Sequence, residues 1–373
     1  MRRFGLSILL LAGLAWAQEK DTGPREVDIL ISETRNQLCP EKRLEYVSIY
    51  CETIDSVVVL KGETTHAAAR DSILARTRRL FPNVRDEITL LPAPSLGEKN
   101  YGVIRLSTAF LRRHPDHDME MTSEGLLGEP VRLLKRYGMF YFCKLEDGYL
   151  GWMEAASIQA MNRQEYAAWQ KAEQVIYLKG VGLIYSEKKR DAYPVSDIVG
   201  ASRVIKVKKE GKWILVKLPD GRTGYVAADE VKDYGVFCRQ PQPSGKMLVH
   251  TAKQFLGHPY LWGGNSAKGF DCSGFTKTVY RMHHLQLPRD ANMQVMVGTQ
   301  VVIDSLHSQL KAGDLLFFGP SRDRITHVGM YIGEHQMIQS DGLVRISSFD
   351  PKDENYSAHR ANGLRAVRRI LAD

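Results

Sequence analysis

Hydrophobic and polar positions along this chain fall into a few rhythms, and each rhythm predicts an element. Residues 6–14 form a short apolar run, too brief to span a bilayer as a permanent helix. From residue 25 to 92 the spacing switches between helical and alternating. It predicts a helix over 26–38, strands over 44–51 and 56–61, a helix over 67–80 and a strand over 87–91. The Lys61-Gly62-Glu63 turn and the Thr64-Thr65 cap set off the second helix. This αββαβ order describes a small two-layer domain, closed by the linker Pro92-Ala93-Pro94-Ser95.

A repeat follows. Residues 138–152 match residues 211–225 position for position at an offset of 73. Each copy is an apolar strand, an Asp-Gly turn (Asp147-Gly148, Asp220-Gly221) and a second strand, which predicts a hairpin. Val131–Leu134 and Val204–Val207 add one upstream strand apiece, so two small β-barrels are expected, joined by a polar helix around 162–173.

The last third changes character. The small-residue turn Gly269-Phe270-Asp271 leads into Cys272, and Phe275, Val279 and Met282 then recur at helical spacing. Cys272 is therefore expected at a helix N-terminus, where unpaired backbone N–H groups favour a thiolate. A lone cysteine is more often a buried structural residue, but the strands downstream of this one reverse that weighting. Residues 325–333 alternate as a strand carrying His327, and residues 337–340 form a second short strand after a glycine-containing turn. A hairpin centred on Gly333 would set Gln339 directly opposite His327, on the same face. Gln339 would accept the Nδ1–H of His327 and leave Nε2 facing the sulfur. His335 and His307 are rival bases without a polar partner on so clear a strand.

Composition and charge refine the picture. The chain has 373 residues, 43% hydrophobic and 25% charged, enough for two to four globular domains. Met1-Arg2-Arg3, the apolar run and Ala15-Trp16-Ala17 read as a secretory leader at 1–17. Its removal takes away Arg2 and Arg3 and lowers the net charge from +8 to +6. Residue 18 is Gln, so no lipid attachment site is expected, and no stable membrane anchor. Mild basicity suits an anionic envelope; no nucleic-acid motif or basic helix is present. All five cysteines follow the leader. Cys39 and Cys51 are the one close pair, but the strand between them separates them beyond disulfide reach.

At residues 246–373 the chain resembles the NlpC/P60 family of cell-wall peptidases, with a papain-like α+β fold. The elements that carry the likeness are Tyr260-Leu261-Trp262-Gly263-Gly264, Asp271-Cys272-Ser273-Gly274-Phe275, Gly313-Asp314-Leu315-Leu316-Phe317-Phe318 and His327 to Gly333. The departure is Gln339, where the family most often has a second histidine. The repeated hairpins resemble bacterial SH3 domains. The fold class expected is thus multidomain α+β: αββαβ at 18–95, SH3-like barrels at 96–160 and 174–240, and the catalytic domain at 246–373.

The first hairpin copy, with Leu126 to Pro130 and Asp147 to Trp152, is similar to the first SH3 domain of γ-D-glutamyl-L-diamino acid peptidases. The resemblance implies that Glu129 and Tyr149 contact the substrate's free amine; the second copy has Ser202 and Arg222 there. Asp271, next to the nucleophile, would raise the thiol pKa by like-charge repulsion unless turned aside to a cation. A substrate ammonium shared with Glu129 is the cation expected. Cys272 would attack, His327 would shuttle the proton, Gln339 would hold the imidazole, and Tyr260 would line the cleft and donate to the oxyanion. Ser273, Arg289 and Asp290 complete the expected substrate wall, Arg289 being equally readable as a surface ion-pair residue. The activity implied is an exported cysteine peptidase, periplasmic or extracellular, acting on peptidoglycan-derived peptides with no cofactor and no metal. A catalytically degenerate wall-binding protein, and an amidase or lipid acyltransferase of the same superfamily, are the alternatives.

Overall fold

The computed structural model describes residues 23–304 and 308–372, so the leader at 1–17 and His307 lie outside the described residues. The chain divides into two compact units, one ending at Leu91 and the other beginning at Pro92.

In the first unit, helices Arg25–Leu38 and Ala67–Leu80 accompany strands Val47–Ile54, Val57–Thr64 and Val84–Leu90. The first two strands pair antiparallel and the last joins parallel. Ile49 and Cys51, Val58 and Leu60, and Ile88 alternate onto the face that packs with Val27, Leu30, Ile31 and Ile73 of the helices. The expected element order holds, while the strands are displaced by a few residues. Residues 42–44 form a turn in which the Glu41 carboxylate grips the Arg43 side chain, so the first strand starts at Val47 rather than Leu44. It then runs through Cys51 to a tight reversal at Asp55 and Ser56, both at positive φ. Such a turn usually recruits glycine or asparagine. All five cysteines are free thiols.

The second unit opens with two seven-stranded sheets, Tyr101–Met161 and Gln174–Asp233. Numbered by sequence within each sheet, the spatial order is 7-1-4-5-6-2-3 in both. The offset of 73 extends to detail: Pro130–Tyr137 and Arg203–Glu210 are equivalent, and each carries a bulge at the same place, Leu133/Lys135 and Lys206/Lys208. Gly148 and Gly221 share a φ of 89° in the hairpin turns. Helix Arg163–Lys171 links the sheets, started by an Asn162–Glu165 capping box.

Beyond them, a six-stranded sheet contains the strands Leu315–Phe318, His327–Gly333, Gln336–Asp341 and Leu343–Ser348 in that order. Helix Cys272–Arg281 lies on the His327 and Gln336 strands and is buried along its whole length. Behind it runs the short ladder of Asn265–Ser266 with Gly269–Phe270. Leu126 of the first sheet module, Ile176 of the second, and Phe255, Phe275 and Phe317 share one apolar cluster, so the three parts are packed as one body.

Gly274 shows how tight the seat of this helix is. A Cβ there would stand 2.0 Å from the Gly264 carbonyl oxygen and 3.0 Å from the Asn265 Cα, both backbone atoms. Gly274→Ala is expected to destabilise the protein by about 1–3 kcal/mol or more, measured by unfolding of the full chain; an unchanged transition would show that the ladder yields freely.

Candidate active site

The site begins at the start of helix Cys272–Arg281. Asp271 is its N-cap, accepting the Gly274 N–H at 2.7 Å. Its carboxylate also takes the Gly263 N–H at 3.0 Å and the Ser273 hydroxyl at 3.2 Å. The Arg289 guanidinium lies across both oxygens, donating at 3.1 and 2.5 Å. The cation that turns Asp271 aside is therefore Arg289, and no acceptor position remains for a substrate ammonium. Arg289 also donates to Ser273 Oγ and, from Nε, to Ser123 Oγ of the first sheet module. It is 1% exposed, so it is neither a surface ion-pair residue nor part of an open wall. Burial works against its charge, and the Asp271 carboxylate outweighs that and raises its pKa.

Glu129 is engaged through one oxygen. One of its oxygens accepts from Arg281 Nη2 at 3.0 Å and from the Leu126 N–H at 3.1 Å, and the residue is buried. That oxygen is thus held in a buried ion pair with an arginine 152 residues away. Tyr149 does reach the site region: its hydroxyl donates to Asp290 Oδ2 at 2.9 Å. Of the carboxylates here, Asp290 is the most accessible, with its side chain 24% exposed against 10% for Asp271 and 5% for Glu129.

Cys272 is the first residue of the helix and 9% exposed. Burial pushes its thiol up to about 11, and Asp271 adds to the rise; the N–H groups of Val328 and Ser273 and the charge of Arg289 oppose it. Desolvation thus works against the helix terminus and favours the thiol over the thiolate expected. Val328, whose N–H bears on the sulfur, follows His327 on the same strand. Tyr260 is half-buried close to the sulfur, its own pKa raised by burial and by the charges that Cys272 and Asp271 would carry.

His327 meets Gln339 through Nε2, 2.6 Å from Oε1. Gln339 is wholly buried and donates its own Nε2 to Ser347 Oγ at 2.9 Å. The amide oxygen faces the ring and the amide nitrogen faces Ser347. Nε2 then carries the imidazole proton and Nδ1 keeps the lone pair, the reverse of the tautomer expected.

The cause is register. Met330 pairs with Ile338 and Gly333 with Gln336, with an irregularity between Tyr331 and Gly333. Gln339 therefore lies beside Gly329, whose missing Cβ would stand 3.3 Å from Gln339 Cβ. It reaches His327 diagonally, from the same face. His335 sits in the turn at the other end of that strand, at a φ of 58°. Burial lowers the His327 pKa to about 4, and Arg360 contributes in the same sense.

Sequence reasoning missed Ser347, Ser123, Arg281 and the Lys277–Asp147 pair. The only signal for them was the polarity of Ser347 on a buried strand and of Lys277 and Arg281 on a helix without an exposed face. Among the described residues, no three His, Cys, Asp or Glu side chains gather into a metal-binding group.

These features set two expectations. An imidazole accepts a proton only when neutral, so with His327 as the proposed base kcat/KM should fall as pH drops through about 4, not 6.5. A pH profile with its acid limb near 6.5 would contradict the buried, neutral ring. Gln339→Ala should slow turnover about tenfold or more, by losing a hydrogen bond to a group that becomes charged; full activity would move the orienting role elsewhere.

Residues 257–365 match the NlpC/P60 family, and residues 111–158 match the bacterial dipeptidyl-peptidase SH3 domain. A γ-D-glutamyl-L-lysine dipeptidyl-peptidase of Bacillus cereus is 32% identical over 249 residues, 62% of this chain and 71% of that protein. A Bacillus subtilis enzyme of the same name is 42% identical over 103 residues, 27% of this chain, which spans a third of its length. The crystal structure of an NlpC/P60 family protein from Bacillus cereus superimposes with a TM-score of 0.64 at 25% identity. That match covers 73% of this chain and all of the other.

Proposed function

The chain belongs to the NlpC/P60 family, and from that membership we propose an exported cysteine peptidase that cleaves the γ-D-Glu–diamino acid bond of peptidoglycan stem peptides bearing a free L-Ala amine. The observation that carries the specificity is the Tyr149–Asp290 bond. It sets a partly exposed carboxylate beside the Asp271–Arg289 cluster, at the edge where the SH3 domain meets the nucleophile helix. Asp290 takes the substrate ammonium in this reading, with Tyr149 aiming its carboxylate. Asp271 and Arg289 act as supports.

In the reaction, the Cys272 sulfur attacks the γ-carbonyl carbon as its proton passes to His327 Nδ1. The new C–S bond leaves an oxyanion, which the Cys272 backbone N–H and the Tyr260 hydroxyl stabilise. Collapse breaks the C–N bond, and His327 gives its proton to the departing amine. Water then attacks the thioester, His327 takes a proton from it, and the restored thiol leaves the L-Ala-γ-D-Glu acid. Gln339 steadies the ring while it is charged. Proton transfer within the attack suits a pair whose resting members are both neutral. Export is read from the leader at 1–17, and no helix among the described residues is long and apolar enough to cross a membrane.

Cys272→Ala is expected to fold and to release no product from L-Ala-γ-D-Glu-diamino acid, read by mass spectrometry. Wild-type turnover by that variant would end the cysteine-peptidase reading.

N-acetylation of the substrate should reduce kcat/KM by about 100-fold or more. It removes one partner of a desolvated charge pair, a loss of roughly 3–5 kcal/mol. Asp290→Asn should erase that preference, and equal rates on both peptides with the wild-type protein would refute the amine pocket.

A further inference from the structure

We propose that the Asp147-Gly148-Tyr149 turn of the SH3 domain is a positioning element for the nucleophile: Asp147, acting through Lys277, sets the seat of the helix that carries Cys272. The inference deepens the peptidase reading and rests on Cys272 as its nucleophile.

Lys277 and Arg281 of that helix stand four residues apart, on one face, and both are buried. A buried ammonium or guanidinium requires a partner. The carboxylates that meet them both belong to the SH3 domain. Asp147 Oδ2 holds the Lys277 ammonium, and Glu129 Oε2 holds Arg281 at 3.0 Å. One module thus carries the nucleophile while the neighbouring module completes the charge balance of its helix. Burial favours the neutral form of the Asp147 carboxyl, yet Lys277 and the Tyr149 N–H hold its pKa below the usual range.

The same turn reaches the helix by a second path. Asp147 Oδ1 accepts the Tyr149 N–H at 3.0 Å. Tyr149 Oη then holds Asp290, the preceding residue is Arg289, and Arg289 grips Asp271, the cap of the same helix. One turn therefore bears on the helix twice, at its middle through Lys277 and at its N-cap through Asp271. Reaction geometry at Cys272 depends on placement to better than about an ångström relative to His327, and these two attachments fix that placement.

The repeat supplies an internal control. At the equivalent turn, Asp220 Oδ1 accepts the Arg222 N–H just as Asp147 accepts that of Tyr149. Gly221 has the same φ as Gly148. There the second oxygen meets Arg222 and Arg105, within the sheet modules themselves. The turn geometry is common to both copies. The outward grip on a nucleophile helix belongs to the first alone.

The test uses the full chain and three variants: Asp147→Asn, Lys277→Met, and the double variant Asp147→Leu/Lys277→Met. Three quantities are read: kcat and KM on L-Ala-γ-D-Glu-diamino acid, the pH dependence of Cys272 alkylation by iodoacetamide, and the thermal transition. Each single variant should lower kcat about tenfold or more, with KM moved by less than about threefold, and should displace the alkylation profile. The double variant leaves no charge unpaired, so its thermal transition should return toward wild type while kcat stays low. Wild-type kcat and alkylation in Asp147→Asn would overturn the proposal. So would a double variant that regains both stability and full kcat, since the pair would then serve the fold alone. Alkylation needs no peptide, so a wild-type protein that cleaves no stem peptide would refute the peptidase reading. The alkylation profiles of the variants would still decide this one.

Discussion

Asp271 accepts hydrogen bonds from two backbone N–H groups, one hydroxyl and both terminal nitrogens of Arg289. This buried pair ties four things together: the glycine turn before the nucleophile, the first turn of its helix, the segment at 288–290 and, through Ser123, the SH3 domain. A buried ion pair contributes little net stability, because desolvation offsets most of its attraction; removing one partner is what is costly. Its value here is definition of geometry. With five donors already in place, the carboxylate admits one arrangement of everything around it.

That arrangement sets the chemistry of the sulfur. A carboxylate one residue from the nucleophile and deep burial both favour the thiol. The helix terminus and two N–H groups near the sulfur lean the other way without prevailing. The imidazole is desolvated as well and is held neutral. Burial thus favours the uncharged form of both the thiol and the imidazole. A hydrogen-bonded Gln339, itself pinned by Ser347, is well matched to such a ring. It accepts from either the neutral or the charged form and adds no charge of its own.

Much of this was legible in the sequence, and the reasons for the rest are specific. The offset of 73 carried the strands of both modules because backbone topology follows local pattern. Cys272, His327 and Gln339 stood out because a small-residue turn and two alternating strands announce their elements. The pairing register was not legible. The reversal runs through Glu334 and His335, both at positive φ, where glycine would ordinarily signal a turn, and the irregularity beside Gly333 shifts Gln339 from His327 to Gly329. The partners of Asp271 and Glu129 were hidden for another reason. Arg289 and Arg281 lie 18 and 152 residues away, and which cation meets which carboxylate is decided by tertiary docking.

The apolar cluster shared by the sheet modules and the nucleophile helix bears on how this molecule comes apart. Leu126, Ile176, Val199, Phe237 and Phe275 come from segments that the sequence divides among separate modules, yet they exclude water jointly. A module whose inner wall is another module's core loses that wall when the two part, even where, as in the second module, it keeps a cluster of its own. From Pro92 onward the boundaries drawn from the sequence pattern therefore cross buried apolar surface. Sheet modules and catalytic sheet therefore share part of their buried surface, and parting any one of them from the rest exposes apolar side chains of the others to water.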